Sequence, residues 1–195
     1  MKISLNQKAA RKAFTLIEMI GVLAVIAILA SLLIPKIYEA INNARVNNAI
    51  VSYNTVKTAV ADHYAKYGAL DKSTNGIALN TARYDLALVT EGFLDKLYLT
   101  KVGSTSWVEV VAAPPGATAG VGFDLAGSGA NAVAGATLLA EAVIQGVTSS
   151  DAKDLNDRLD GTAGSFIVTL GSDDLVGRVK WSNAVQTAWL YITHR

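Results

Sequence analysis

Glu18 is the most conspicuous chemical group in this sequence, because of where it stands. It is the one charged side chain in residues 14–34, "FTLIEMIGVLAVIAILASLLI". A carboxylate in membrane-grade apolarity is costly and is seldom kept without a use. A use exists if the chain is cut between Ala13 and Phe14. The cut creates an α-ammonium on Phe14, and Glu18 can pair with such an ammonium on a neighbouring copy. Opposite charges within ~4 Å in a low dielectric hold each other strongly. Two other readings are an ordinary secretory signal peptide and a plain membrane anchor. The apolar run is too long for the first, and neither gives Glu18 a purpose.

Other groups with chemical potential are weaker. Asp151, Asp154, Asp157 and Asp160 recur every third residue. Carboxylates are hard ligands suited to calcium. However, Lys153 and Arg158 interleave, Asp154–Arg158 has the spacing of a helical ion pair, and an every-third series drifts around a helix. A solvated charged face is the reading taken, with calcium the weak alternative and no metal or cofactor expected. His63 and His194 share no short motif and are read as surface histidines. There is no cysteine, so no disulfide and no thiolate chemistry. "GSGANA" lacks the third glycine of a dinucleotide fingerprint, no Walker A lysine is present, and no serine sits in a nucleophile elbow. No carboxylate pair is framed for acid–base work. The tyrosine spacing on the first helix is explained by packing. These absences favour a protein that is not an enzyme.

Charge sharpens the picture. The 195 residues carry a net charge of +1. Lys2, Lys8, Arg11 and Lys12 precede Phe14 with no acid among them, which leaves the remainder mildly acidic. An acidic body gives no argument for nucleic-acid binding. Positive charge ahead of a 21-residue apolar run, ~31 Å as a helix, predicts a cytoplasmic N-terminus and an exported remainder.

The elements follow. After Lys36, the apolar residues Ile37, Ile41, Ala44, Ile50, Tyr53, Val56, Val60, Tyr64 and Tyr67 step mostly by three or four. Asn42, Asn43, Asn47, Asn48, Lys57 and Lys66 take the other side. One helix over residues 14–67 is predicted, stopped by Gly68 and kinked or locally broken at Pro35. Residues 71–81 read as a loop, 84–97 as a short helix broken near Gly92, and 107–112 as a strand. Residues 114–135 are a Gly/Ala/Pro-rich connector. Residues 137–144 read as helical. Residues 150–161 read as a helix capped by Ser150 and stopped by Gly161. "SFIVTL", "LVGRVKW" and "VQTAWLYITHR" read as three antiparallel strands, with Trp181, Trp189 and Tyr191 pairing across them.

"FTLIEMIGVLAVIAILASLLIPKI", behind a short basic leader, resembles the N-terminal segment of type IV pilins and type II secretion pseudopilins. The resemblance covers about 25 residues closely. It implies cleavage by a prepilin peptidase between Ala13 and Phe14, N-methylation of Phe14, an assembly role for Glu18, and Pro35 at the end of the membrane part. The family normally has glycine where Ala13 stands; alanine is still small. The fold class expected is α+β: a long N-terminal helix, transmembrane then amphipathic, packed on a C-terminal antiparallel sheet head. The divisions are a leader (1–13), an assembly helix (14–35), its amphipathic continuation (36–68) and a globular head (69–195). The implied partners are copies of itself and related pilins, the peptidase, an inner-membrane assembly platform, and the membrane before assembly. The implied location is the inner membrane, then an extracellular pilus or a periplasmic pseudopilus. A type IV pilus subunit is the first expectation. A secretion pseudopilin, or a minor pilin in adhesion or DNA uptake, is the alternative.

Overall fold

The computed structural model describes residues 14–72, 81–114, 122–161 and 173–195. It divides into two compact units, one ending at Asn42 and one running Asn43–Arg195. Helix α1, Leu16–Tyr67, belongs to both. Pro35 lies inside it and does not end it. Proline lacks the N–H that would bond the preceding turn. Gly68 terminates α1 with φ +69°, a conformation that suits glycine, and its N–H bonds the Tyr64 carbonyl at 2.8 Å.

In the first unit, α1 is exposed on every side, which fits its unbroken apolarity. In the second unit the same helix buries a single stripe: Val46, Ala49, Tyr53, Val56, Ala59, Val60 and His63. Those positions repeat at helical spacing, so they face one way.

That stripe belongs to one hydrophobic cluster with the inner face of a four-stranded sheet. The strands are β1 (Thr105–Ala112), β2 (Leu138–Gln145), β3 (Val179–Ser182) and β4 (Thr187–His194). Their order is β1-β2-β4-β3, and every neighbouring pair is antiparallel. Val108, Val110, Ala140, Ala142, Ile144, Trp181, Leu190 and Ile192 point into the cluster. Two short helices complete the unit: α2 (Tyr84–Thr90), preceded by a single 3-10 turn, and α3 (Ser149–Leu159).

The structure corrects several expectations. Residues 137–144 are not helical; they contribute most of β2, an inner strand of the sheet. Six consecutive β2 residues, Leu139–Ile144, are buried, because Phe123 and Val133 cover the outer face. A strand covered on both faces loses its alternation and resembles a buried helix segment by pattern. The N-cap of α3 is Thr148, not Ser150: its hydroxyl accepts from Asp151 N–H at 3.2 Å. The neighbouring Val147 is pinned by Gln186 O and Trp181 Nε1, which decides where the helix begins. Trp181 does not pair with the other two aromatics. Its register partner is Ala188 on the inner face, whereas Trp189 and Tyr191 lie on the outer face. Gly92 does end the helix of residues 84–90, with φ +79°. The predicted strand "SFIVTL" lies outside the described residues.

Candidate functional site

The first unit presents an apolar surface with a polar start. Phe14 is 80% exposed, and the large apolar side chains from Leu16 to Ile41 are exposed with it. A contiguous exposed apolar surface of this extent marks an interaction site or a membrane contact. The helix is long and apolar enough to cross a bilayer.

Glu18 sits in the first turn of α1. Its Oε2 accepts from Thr15 N–H and from Thr15 Oγ1, both at 2.8 Å. Thr15 Oγ1 in turn accepts from Glu18 N–H at 3.3 Å. This reciprocal pair is a capping box, with Thr15 as N-cap and Glu18 three residues on. It satisfies two backbone donors that the helix start leaves free. The string Thr-Leu-Ile-Glu carries that signature by itself, independently of the charge on Glu18. Glu18 therefore has a local structural use besides any use between copies. Both bonds fall on Oε2. At the far end of the apolar stretch, Ser31 Oγ donates to Ile28 O at 2.8 Å, and Lys36 pairs with Glu39 at 3.1 Å. Ala13 lies outside the described residues.

The aspartate series does not converge. Asp157 pairs with Lys153 on the surface of α3. Asp160 accepts backbone N–H bonds from Arg178 at 2.7 Å and Val179 at 3.2 Å. Partial burial pushes its carboxyl up, against those two bonds. Asp151 is buried in the first helical turn. Among the described residues no group of three or more His, Asp or Glu is placed to hold a metal ion. Arg158 reaches Asn47 Oδ1 and the Asn43 side chain on α1. Arg45 ties the same stretch of α1 to Lys101 O at 2.9 and 2.7 Å.

The histidine reading also changes. His63 is fully buried, not a surface residue. Its Nδ1 is 2.8 Å from Tyr84 Oη, and the rings of Tyr67 and Phe93 pack against it. Burial pushes its pKa down, opposed by Glu91, whose carboxylate is 3.4 Å from Nε2. His194 is part-exposed and meets Tyr191 Oη at 2.6 Å.

Three comparisons bear on this arrangement. A family profile described as the prokaryotic N-terminal methylation motif matches residues 8–34. Fimbrial protein EcpB of Eikenella corrodens is 34% identical over 77 residues, 38% of this chain and 48% of that protein. Type IV major pilin protein PilE of Neisseria gonorrhoeae is 32% identical over 74 residues, 37% of this chain and 44% of that one. The chain thus spans about half the length of the curated relatives it matches. No solved structure matches. An apolar, exposed N-terminal helical stretch, an antiparallel sheet unit, the methylation motif and the pilin similarity coincide: this chain carries a prokaryotic N-terminal methylation motif and is similar, over about 75 residues, to a fimbrial protein and a type IV major pilin.

Proposed function

We propose that the protein is a structural subunit of a type IV pilus-like filament and not an enzyme. The observation that carries this reading is the apolar helix that contributes nothing to the core of its own chain: the earliest buried residue of α1 is Val46. A surface of that kind is unsuited to water and calls for lipid or for copies of itself. In the precursor the helix, residues 14–35, lies in the inner membrane with a cytoplasmic N-terminus. A prepilin peptidase cuts between Ala13 and Phe14, and Phe14 becomes N-methylated. An inner-membrane platform then moves the subunit into the filament. There the apolar helices bundle, and the surface that lipid had covered is covered by neighbours. Inside a membrane this exchange is driven by close packing and specific polar contacts more than by the hydrophobic effect. Glu18 supplies such a contact. Its charge pairs with the α-ammonium of Phe14 on the next subunit and sets the register. Residues 36–68 continue the helix into the head, residues 69–195.

The test is on cells expressing the native protein. Surface filaments are sheared off and the released protein is sequenced from its N-terminus by mass spectrometry. Methylated Phe14 in the sheared fraction is the expected result. Methylated Phe14 confined to the cell envelope points to a secretion pseudopilus. An intact Met1 defeats the processing step and the ammonium pairing with it.

A further inference from the structure

The outer face of the sheet holds two carboxyl groups where a sheet tolerates them poorly. Glu109 on β1 and Glu141 on β2 are register partners, directly opposite each other. Like charges in that position are destabilising. Glu141 is only 6% exposed, and its Oε2 has neither a hydrogen-bond partner nor solvent. Glu109 is better served, since Trp107 Nε1 donates to its Oε2 at 2.8 Å. Tyr191 on β4 is the other register partner of Glu141. Lys180 on β3 reaches Glu141 electrostatically. The covering segment contributes Phe123 and Val133, which carry no charge.

Lys180 is also committed elsewhere. Its Nζ lies 5.0 Å from the centre of the Phe123 ring and 5.2 Å from that of Trp189. Phe123 anchors the segment that covers the sheet: Ala132 N–H bonds Phe123 O at 2.7 Å, and Asp124 holds the amides of Ser128 and Gly129. The cation that would have to answer a second carboxylate is therefore the one resting on the cover.

We propose that Glu141 keeps its proton because it is buried and Glu109 faces it across the strands, and that losing it draws Lys180 off Phe123 and loosens the cover of the sheet. With the proton in place, one carboxyl group is neutral and one is a carboxylate held by Trp107. Without it, two negative charges face each other across the strands, the one on Glu141 shielded from water and the one on Glu109 part-exposed. Such a site disfavours the charged form. Burial, with Glu109 adding to it and Lys180 opposing it, pushes Glu141 up to about 7. The sign follows: below that pH the cover is closed, and above it the cover opens.

The test uses the full chain in detergent micelles. Carboxyl carbons of glutamate are followed by NMR across pH 4–9, and exchange of the Ala132 amide is followed over the same range after correction for intrinsic rate. Glu141 should be a weaker acid than an ordinary glutamate by roughly 100- to 1,000-fold, and Ala132 should lose protection as Glu141 ionises. In Glu141→Gln the protection should persist at high pH. In Lys180→Met it should be low at every pH. Glu109→Gln removes the opposing charge and should make Glu141 a measurably stronger acid, while burial still keeps it weaker than an ordinary glutamate, a readout that stands even if Glu141→Gln does not fold. A Glu141 that titrates as an exposed glutamate overturns the proposal. So does an Ala132 profile identical in wild type and Glu141→Gln.

Discussion

Substitution of Ile26 separates the two units by their energetics. Ile26 is 55% exposed and lies in the unit that ends at Asn42. The core of the second unit contains no residue before Val46. Ile26→Ala keeps the helix apolar and so leaves membrane insertion intact. In a packed bundle it removes three carbons and leaves a partial void. Large-to-small changes of this kind cost from about 2 kcal/mol upward in packed cores. At 1.4 kcal/mol per tenfold, that lowers the incorporation equilibrium about 30-fold per subunit. Ile26→Lys adds a charge near the middle of the span, which costs about 2.5–3.5 kcal/mol in a bilayer and again in an apolar bundle. The assay pairs sheared filament protein, measured against the envelope pool, with thermal melting of the purified full chain. All three tryptophans, Trp107, Trp181 and Trp189, are in the second unit, so their fluorescence reports its melting alone. The expected result is filament loss graded from Ala to Lys with an unchanged tryptophan transition. Wild-type filament yield from Ile26→Lys, or a transition lowered by more than a few degrees in Ile26→Ala, refutes the division of labour.

Other outcomes follow from single contacts. Glu18→Gln keeps an oxygen for the Thr15 donors but removes the charge, so filament yield should fall at least tenfold while the precursor still accumulates in the membrane; full assembly would reduce Glu18 to a helix cap. Tyr84→Phe strips the partner from buried His63 Nδ1 and should lower stability by about 1–3 kcal/mol in urea titrations of the full chain; an unchanged midpoint would mean that the bond contributes nothing. For His63 itself, the folded pKa lies below the ordinary 6.5, so the unfolded chain takes up the proton first. Stability linked to this group is therefore complete above about pH 6.5 and is lost as the pH falls through the window below it. Glu91 and Lys66 act on the same ring with opposite signs, and His63→Gln should flatten the acid limb of a melting-versus-pH curve.

Much of the architecture was legible because it rests on long, one-dimensional patterns. The helix ending at Tyr67 shows in its three-and-four spacing and in Gly68, and β4 shows in its alternation. The apolar stretch and its lone acid need no tertiary context to be noticed, since bilayer thickness and the cost of a buried charge are properties of the surroundings. Even the capping box of Thr15 and Glu18 is a local signature. What escaped detection depended on contacts distant in the chain. Leu139, Glu141 and Val143 are buried on the outer side of β2 by neighbours distant in the chain, Phe123 and Val133 among them at Leu139, and that burial removes the alternation by which a strand is known. Thr148 outcompetes Ser150 as a cap because Val147 is held by Gln186 and Trp181. His63 is buried because Tyr84, Glu91 and Phe93 close over the last turns of α1. The facing pair Glu109 and Glu141 exists only through the register of β1 on β2. Periodicity reports what a segment needs to bury, whereas the tertiary structure decides which partner buries it and which polar groups are enclosed along with it.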